Sequence, residues 1–146
     1  MLPERQKLPH VTPAWVKDGA LYFITVCTQP RGVNQLCQPD NAVWIHGSFL
    51  FREQRGDWWW HLLLLMPDHL HAIMSFPQTP GMLHTLGQWK RFAARERHID
   101  WQRDFFDHRL RDDENLVEKA HYIRMNPVRA GLITQPEDWP HVWSKQ

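Results

Sequence analysis

Between Asp57 and Phe76 the chain reads DWWWHLLLLMPDHLHAIMSF, and no other stretch limits the fold as much. Asp57 to Met66 is an almost unbroken apolar run, the pattern of a central strand covered on both faces. Met66-Pro67-Asp68 is a turn, and His69 to Phe76 returns as the second strand of a hairpin. Side chains alternate along that returning strand. Leu70, Ala72, Met74 and Phe76 fall on one face, and His69, His71, Ile73 and Ser75 on the other. A buried hairpin therefore carries two imidazoles on one side.

The rest of the chain supplies partners for this hairpin. Ala20 to Thr28 (ALYFITVCT) is β-branched and aromatic and is closed by Pro30, which predicts a first strand. Asp40 to Arg52 opens with Asp and Asn ahead of Val43, Ile45 and Phe49, so a helix is expected there. Met82 to His98 places Leu83, Leu86, Trp89 and Phe92 or Ala93 at helical spacing. Phe105 to Leu110 reads as a short strand or an ordered loop. Glu114 to Asn126 reads as a helix stopped by Pro127, because the residue before a proline resists the α region. Residues 1–19 are Pro-rich and aperiodic and are expected to form an extended leader. The order of elements gives an α+β domain, an antiparallel sheet with helices packed on one face.

Composition narrows the class. The chain has 146 residues, enough for one domain with a sizeable core. Its 17 basic and 16 acidic residues leave a net charge of +1. Cys27 and Cys37 have no metal-binding spacing and read as reduced thiols in a cytoplasmic protein. The longest apolar run, Leu62 to Met66, is far short of the ~20 residues of a membrane span, and no secretory signal is visible. Nine Trp and ten His stand against only two Tyr.

Two constellations suggest chemistry. With ten histidines present, one His-x-His pair is an ordinary chance event, and the bland reading is two polar residues on a wet strand face. Alternate strand positions nevertheless bring two ring nitrogens near one point, which suits a metal ion. On the C-terminal helix Leu116, Ala120 and Ile123 form the core stripe, while Tyr122 and Asn126 are neighbours at i and i+4 on another face. Two imidazoles and an amide oxygen would hold a divalent cation with positions left for phosphate oxygens. Tyr122 beside it would be a nucleophile that needs a cation or a metal-sharpened electrophile, since a phenol near pKa 10 is weak at neutral pH. The resulting phosphotyrosine would keep the bond energy, so rejoining would need no nucleotide cofactor.

These residues carry a resemblance. Leu65 to His71 (LMPDHLH) resembles the HUH motif of single-tyrosine transposases. Trp101 to Leu132 resembles the tyrosine-bearing region of their REP-associated branch, whose YIxxNPVxAGL signature is read from Tyr122 through Asn126, Pro127, Val128, Ala130, Gly131 and Leu132. Tyr22 to Thr25 and Trp139-Pro140 add to a likeness running from about residue 8 to 143. The resemblance implies a ferredoxin-like (RRM-like) α+β fold with the HUH strand central. It implies Mg²⁺- or Mn²⁺-dependent cleavage and rejoining of single-stranded REP-hairpin DNA through a 5′-phosphotyrosine. His69 and His71 match its metal ligands, Tyr122 its nucleophile and Asn126 its third, polar ligand. A monomer is expected rather than a helix-exchanged dimer.

A protein that follows phosphates needs local positive charge. Lys90, Arg91, Arg95, Arg109, Arg111, Lys119, Arg124 and Arg129 are the candidate DNA-binding residues, provided they gather on one side; Arg97 and Arg103 are further contributors. Trp58 to Trp60 and Trp89 read as packing residues, whereas Trp15, Trp101 and Trp139 are placed to stack on bases. Two other functions fit the same residues: a regulatory module that binds hairpin DNA or RNA without cutting it, and a hydrolytic phosphodiesterase that leaves a free 5′-phosphate.

Overall fold

The expected hairpin forms around Pro67-Asp68 and lies at the centre of the molecule. The structure is a computed structural model that describes residues 20–111 and 113–145. The expected leader, residues 1–19, and Trp15 within it lie outside the described residues. In chain order the elements are β1 (Leu21–Cys27), α1 (Pro39–Gln54), β2 (Trp59–Met66), β3 (His69–Ser75) and α2 (Met82–Arg97), followed by β4 (Phe106–Leu110), α3 (Asp113–Arg124), the short α4 (Asn126–Arg129), a 3-10 turn (Pro136–Asp138) and β5 (Val142–Ser144). All strands pair antiparallel in the order β4-β1-β3-β2-β5. The first six elements give the ferredoxin-like order, an α+β fold as expected, with β5 added at one edge.

The period-2 alternation of β3 sorts the interior into two layers. Leu70, Ala72 and Met74 face Ile24, Val26, Leu63 and Leu65, and α1 and α2 cover them with Ala42, Ile45, Phe49, Leu86, Trp89 and Ala93. Ile73 faces Leu21, Leu62, Leu64, Met66 and Leu110 on the other side, where α3 contributes Ala120 and Ile123. Helices sharing one face therefore describes α1 and α2, while α3 packs across the opposite face. The reason lies in β2: its run from Leu62 to Met66 is buried throughout, so both of its faces need cover.

Aromatic packing dominates the α1/α2 side. Trp58, Trp89 and Phe49 pack mutually, with ring centroids 4.6, 5.3 and 6.0 Å apart. Trp101 adds to this cluster at 5.5 Å from Trp89 and donates Nε1–H to the Lys90 carbonyl. It is core, not a base-stacking residue. Trp139 donates to the Leu65 carbonyl and packs on the second layer, so it too is tied into the fold.

The C-terminal helix ends earlier than its sequence suggests. α3 stops at Arg124, and Pro127 lies in the first turn of α4 rather than terminating a single helix. Proline is tolerated there because a first-turn N–H has no intrahelical acceptor in any case. The turn at Met125 stays helical enough for Met125 N–H to reach the His121 carbonyl. β5 was not signalled at all: three residues that pair with Leu62 to Leu64 carry too little pattern. Both cysteines are free thiols. Among the described residues no helix is long and apolar enough to cross a membrane.

Candidate active site

β3 places His69 and His71 on the α3 side of the sheet, with ring centroids 4.8 Å apart. Each imidazole is oriented by a different partner. The Asn126 amide Nδ2 donates to His71 Nε2 at 3.0 Å, so Nδ1 carries the proton and donates to Thr25 Oγ1 at 2.9 Å. Thr25 stands directly opposite His71 in the β1–β3 register. His71 is only 6% exposed. Burial, helped by the charges of His69 and Arg129, pushes it down to about 3, so it is a neutral imidazole with a lone pair on Nε2.

His69 is set from the turn. Its Nδ1–H donates to Asp68 Oδ1 at 2.9 Å, which turns Nε2 toward the patch as the atom free to ligate from the neutral ring. Burial opposes ionisation of Asp68, but hydrogen bonds from Arg31, His69 and the Gly32 N–H outweigh it and hold the carboxyl well below the usual range. Arg31 Nε lies 2.9 Å and Gly32 N 2.8 Å from Asp68 Oδ2. The result is an arginine–carboxylate–histidine relay. Both histidines therefore carry an outer hydrogen bond of the kind that fixes tautomer and ring orientation in metal sites.

Tyr122 comes from α3. Its ring centroid lies 6.4 Å from that of His71 and 6.1 Å from that of Phe23, and 46% of the residue is exposed. Arg129 reaches back from α4 to hold it: Cζ sits 4.0 Å over the Tyr122 ring, and Nη2 donates to the Tyr122 carbonyl at 2.6 Å. Lys119 Nζ lies 5.7 Å over the Phe23 ring. His69, His71, Tyr122 and Asn126, far apart in the chain, thus converge on one patch. Its donors, two imidazole nitrogens and a carboxamide that presents oxygen after a half-turn, fit a divalent cation of borderline softness. Among the described residues no three His, Cys, Asp or Glu gather to hold a metal ion, at this patch or elsewhere, so a third donor here has to be the Asn126 carboxamide.

The candidate basic residues do not gather with them. Only Lys119 and Arg129 border the patch. Lys90 is the clearest correction: it is buried, and Nζ donates to the carbonyls of Gln102, Arg103 and Asp104 at 2.9, 3.1 and 3.3 Å. Its stem crosses the core and its ammonium pins a loop, leaving nothing for a phosphate. Arg91 and Arg95 line a cavity between α1 and α2 with Arg52, Arg55, Phe51 and Phe92, behind the sheet. Arg109 stands opposite Tyr22 on that same far side. Arg124 lies near enough to His61 to depress its protonation, and Arg111 follows β4 on the surface. Helical and strand periodicity cannot say which layer a basic residue meets, so their dispersal was not legible. Thr25 and Asp68 were missed as supports, although their places, opposite and just before the histidines, were available from the strand pattern.

The fold and these residues together describe a ferredoxin-like domain bearing a His-Leu-His pair and a facing tyrosine. No family model matches the chain. It is similar to a Haemophilus influenzae protein provisionally named a REP-associated tyrosine transposase, at 26% identity over 140 residues, covering 84% of this chain and 78% of that one. It is also 28% identical over 131 residues to the REP-associated tyrosine transposase of Escherichia coli, covering 84% and 74%. A solved structure of a REP-associated tyrosine transposase bound to a REP hairpin shares the fold, with a TM-score of 0.72 at 23% identity over 85% of this chain and 76% of that one. The resemblance to REP-associated tyrosine transposases is thus borne out over most of the chain.

Proposed function

We propose that this chain cleaves and rejoins single-stranded DNA beside REP-like hairpins, using Tyr122 as nucleophile. The observation that carries the reading is the hydrogen-bonded set Thr25–His71–Asn126 with Tyr122 beside it. In the forward step Tyr122 Oη forms a bond to the scissile phosphorus and loses its proton. The bond from phosphorus to the 3′-oxygen breaks, and that oxygen leaves as a 3′-hydroxyl. A 5′-phosphotyrosine remains, and attack by a 3′-hydroxyl reverses the step without a nucleotide cofactor. A Mg²⁺ or Mn²⁺ held by His69, His71 and Asn126 would supply Lewis-acid polarisation of the phosphate. Thr25 and Asp68 keep both imidazoles in the ligating tautomer, and Arg129 restrains the Tyr122 ring. Because histidines and tyrosine meet within one chain, a monomer suffices for a complete site.

The test is a denaturing gel of protein incubated with labelled hairpin DNA and Mn²⁺. A covalent adduct that disappears in Tyr122→Phe and on chelation is expected. Tight hairpin binding with no adduct and uncut DNA would leave the regulatory binding module instead. A free 5′-phosphate without adduct would leave a hydrolase.

A further inference from the structure

Phe106 is out of place as a core residue: it sits in a strand yet is 72% exposed. Its neighbour Phe105 packs against the main core and lies under Lys90 Nζ at 5.9 Å. Phe106 must then point to the opposite side of the sheet. The register makes that side specific. Thr25 is paired with His71 on β3 and with Phe106 on β4, so the three occupy one row across the sheet. At about 4.8 Å between strands, Phe106 stands roughly 10 Å from the His71 backbone, within one or two nucleotides of the histidine pair.

A cavity of about 450 Å³ adjoins it, lined by Gln29, Gln102, Arg103, Asp104, Phe105 and Phe106. Gln29 Nε2 donates one hydrogen to Asp100 Oδ1 at 3.2 Å, and Gln102 Nε2 donates one to the Thr28 carbonyl at 3.5 Å. Among the described residues nothing donates to either amide oxygen, so each can accept from a planar polar edge. An exposed aromatic face at Phe106, amide acceptors and a guanidinium in one concavity match an unpaired nucleobase with its phosphate better than an apolar peptide, for which the lining is too polar.

We propose that Phe106 and this cavity form a nucleobase subsite for the single strand entering the active site. Phe106 stacks on the base, Gln29 and Gln102 meet its edge, and Arg103 faces the backbone phosphate against the partial opposition of Asp104. The assignment rests on the single-strand DNA reading above and adds what flanks its chemistry.

The test uses the full chain carrying Tyr122→Phe and REP-like hairpins with 2-aminopurine at each single-stranded flanking position in turn. Quenching at one or two positions is expected. Phe106→Ala should abolish the quenching and weaken binding about 5- to 160-fold, the range for one lost stacking contact. Phe106→Trp should keep both, and Val43→Ala, equally exposed on α1, should change neither. Quenching at no position, or Phe106→Ala that quenches and binds like its parent, overturns the subsite. Adduct formation by the Tyr122 protein is scored in parallel. Adduct without Phe106-dependent quenching removes the subsite and leaves the cleavage reading; quenching without adduct does the reverse.

Discussion

The two faces of one sheet are built to different rules. Facing α1 and α2, β1 to β3 present Ile24, Val26, Leu63, Leu65, Leu70 and Ala72, each within 1% of complete burial and packed on tryptophans. Facing α3, the same strands present Thr25, His69 and His71 beside a tyrosine that is nearly half exposed. Neighbouring residues of a strand thus serve opposite ends. The first set makes the sheet rigid; the second uses that rigidity to hold imidazoles where a loop could not. Stability and chemistry are separated by one residue of register, and substitutions should separate them too.

The largest effect is expected deep on the α1/α2 side. Trp89→Ala removes a fully buried ring packed on Phe49, Trp58 and Trp101. It should lower stability by about 3–5 kcal/mol, read from denaturant midpoints. On the other face the penalty should appear in metal dependence. Thr25→Val removes the acceptor that orients His71, and the Mn²⁺ concentration for half-maximal cleavage should rise roughly 10- to 100-fold. An unchanged Mn²⁺ dependence would mean that Thr25 does not support a ligand.

A smaller effect depends on pH. His61 lies at the irregularity in β2, and burial, with the nearby Arg124 and Lys145 charges, pushes it down to about 4. Its Nδ1 is buried with no hydrogen-bond partner among the described residues. A folded value below the unfolded ~6.5 means that the unfolded chain takes the proton first. Stability from this group is therefore complete above about pH 6.5 and falls as the pH drops toward 4, by at most about 1.4 kcal/mol per pH unit. His61→Leu should flatten that part of a stability–pH curve. The smallest change is expected behind the sheet: Arg95→Ala loses an exposed contact over Phe92 and a 3.9 Å approach to Glu96. Less than about 0.5 kcal/mol should be lost.

The comparison also shows which parts were legible beforehand. The β2–β3 hairpin, the faces of β3 and the core stripe of α3 follow from local periodicity, and each stands as the pattern predicts. The four residues of the candidate site were readable because two lie on one strand face and two lie one helical turn apart. Which layer a helix covers is settled by whatever surface remains bare, and so α3 crossed to the second face of the doubly apolar β2. Lys90 was read as a surface charge, but it adjoins Trp89 at the edge of the core stripe, where a long stem can be buried and its ammonium satisfied by three carbonyls. Trp101 follows α2 by only four residues, and it is buried because the chain folds back on that helix, bringing its ring to Trp89 and its Nε1–H to the Lys90 carbonyl, a reversal that no periodicity signals.

The position of β3 has a consequence for persistence. It is the middle strand, laddered along its length to β1 on one side and β2 on the other, whereas α3 touches the second layer through Ala120 and Ile123 and is followed at once by the break at Met125. Partial openings of a native protein begin where such attachments are few and spare the doubly paired strands. An opening that released α3 would therefore move Tyr122 and leave the histidine pair in its ladder. Tyr122 would return to a half-site that had kept its shape.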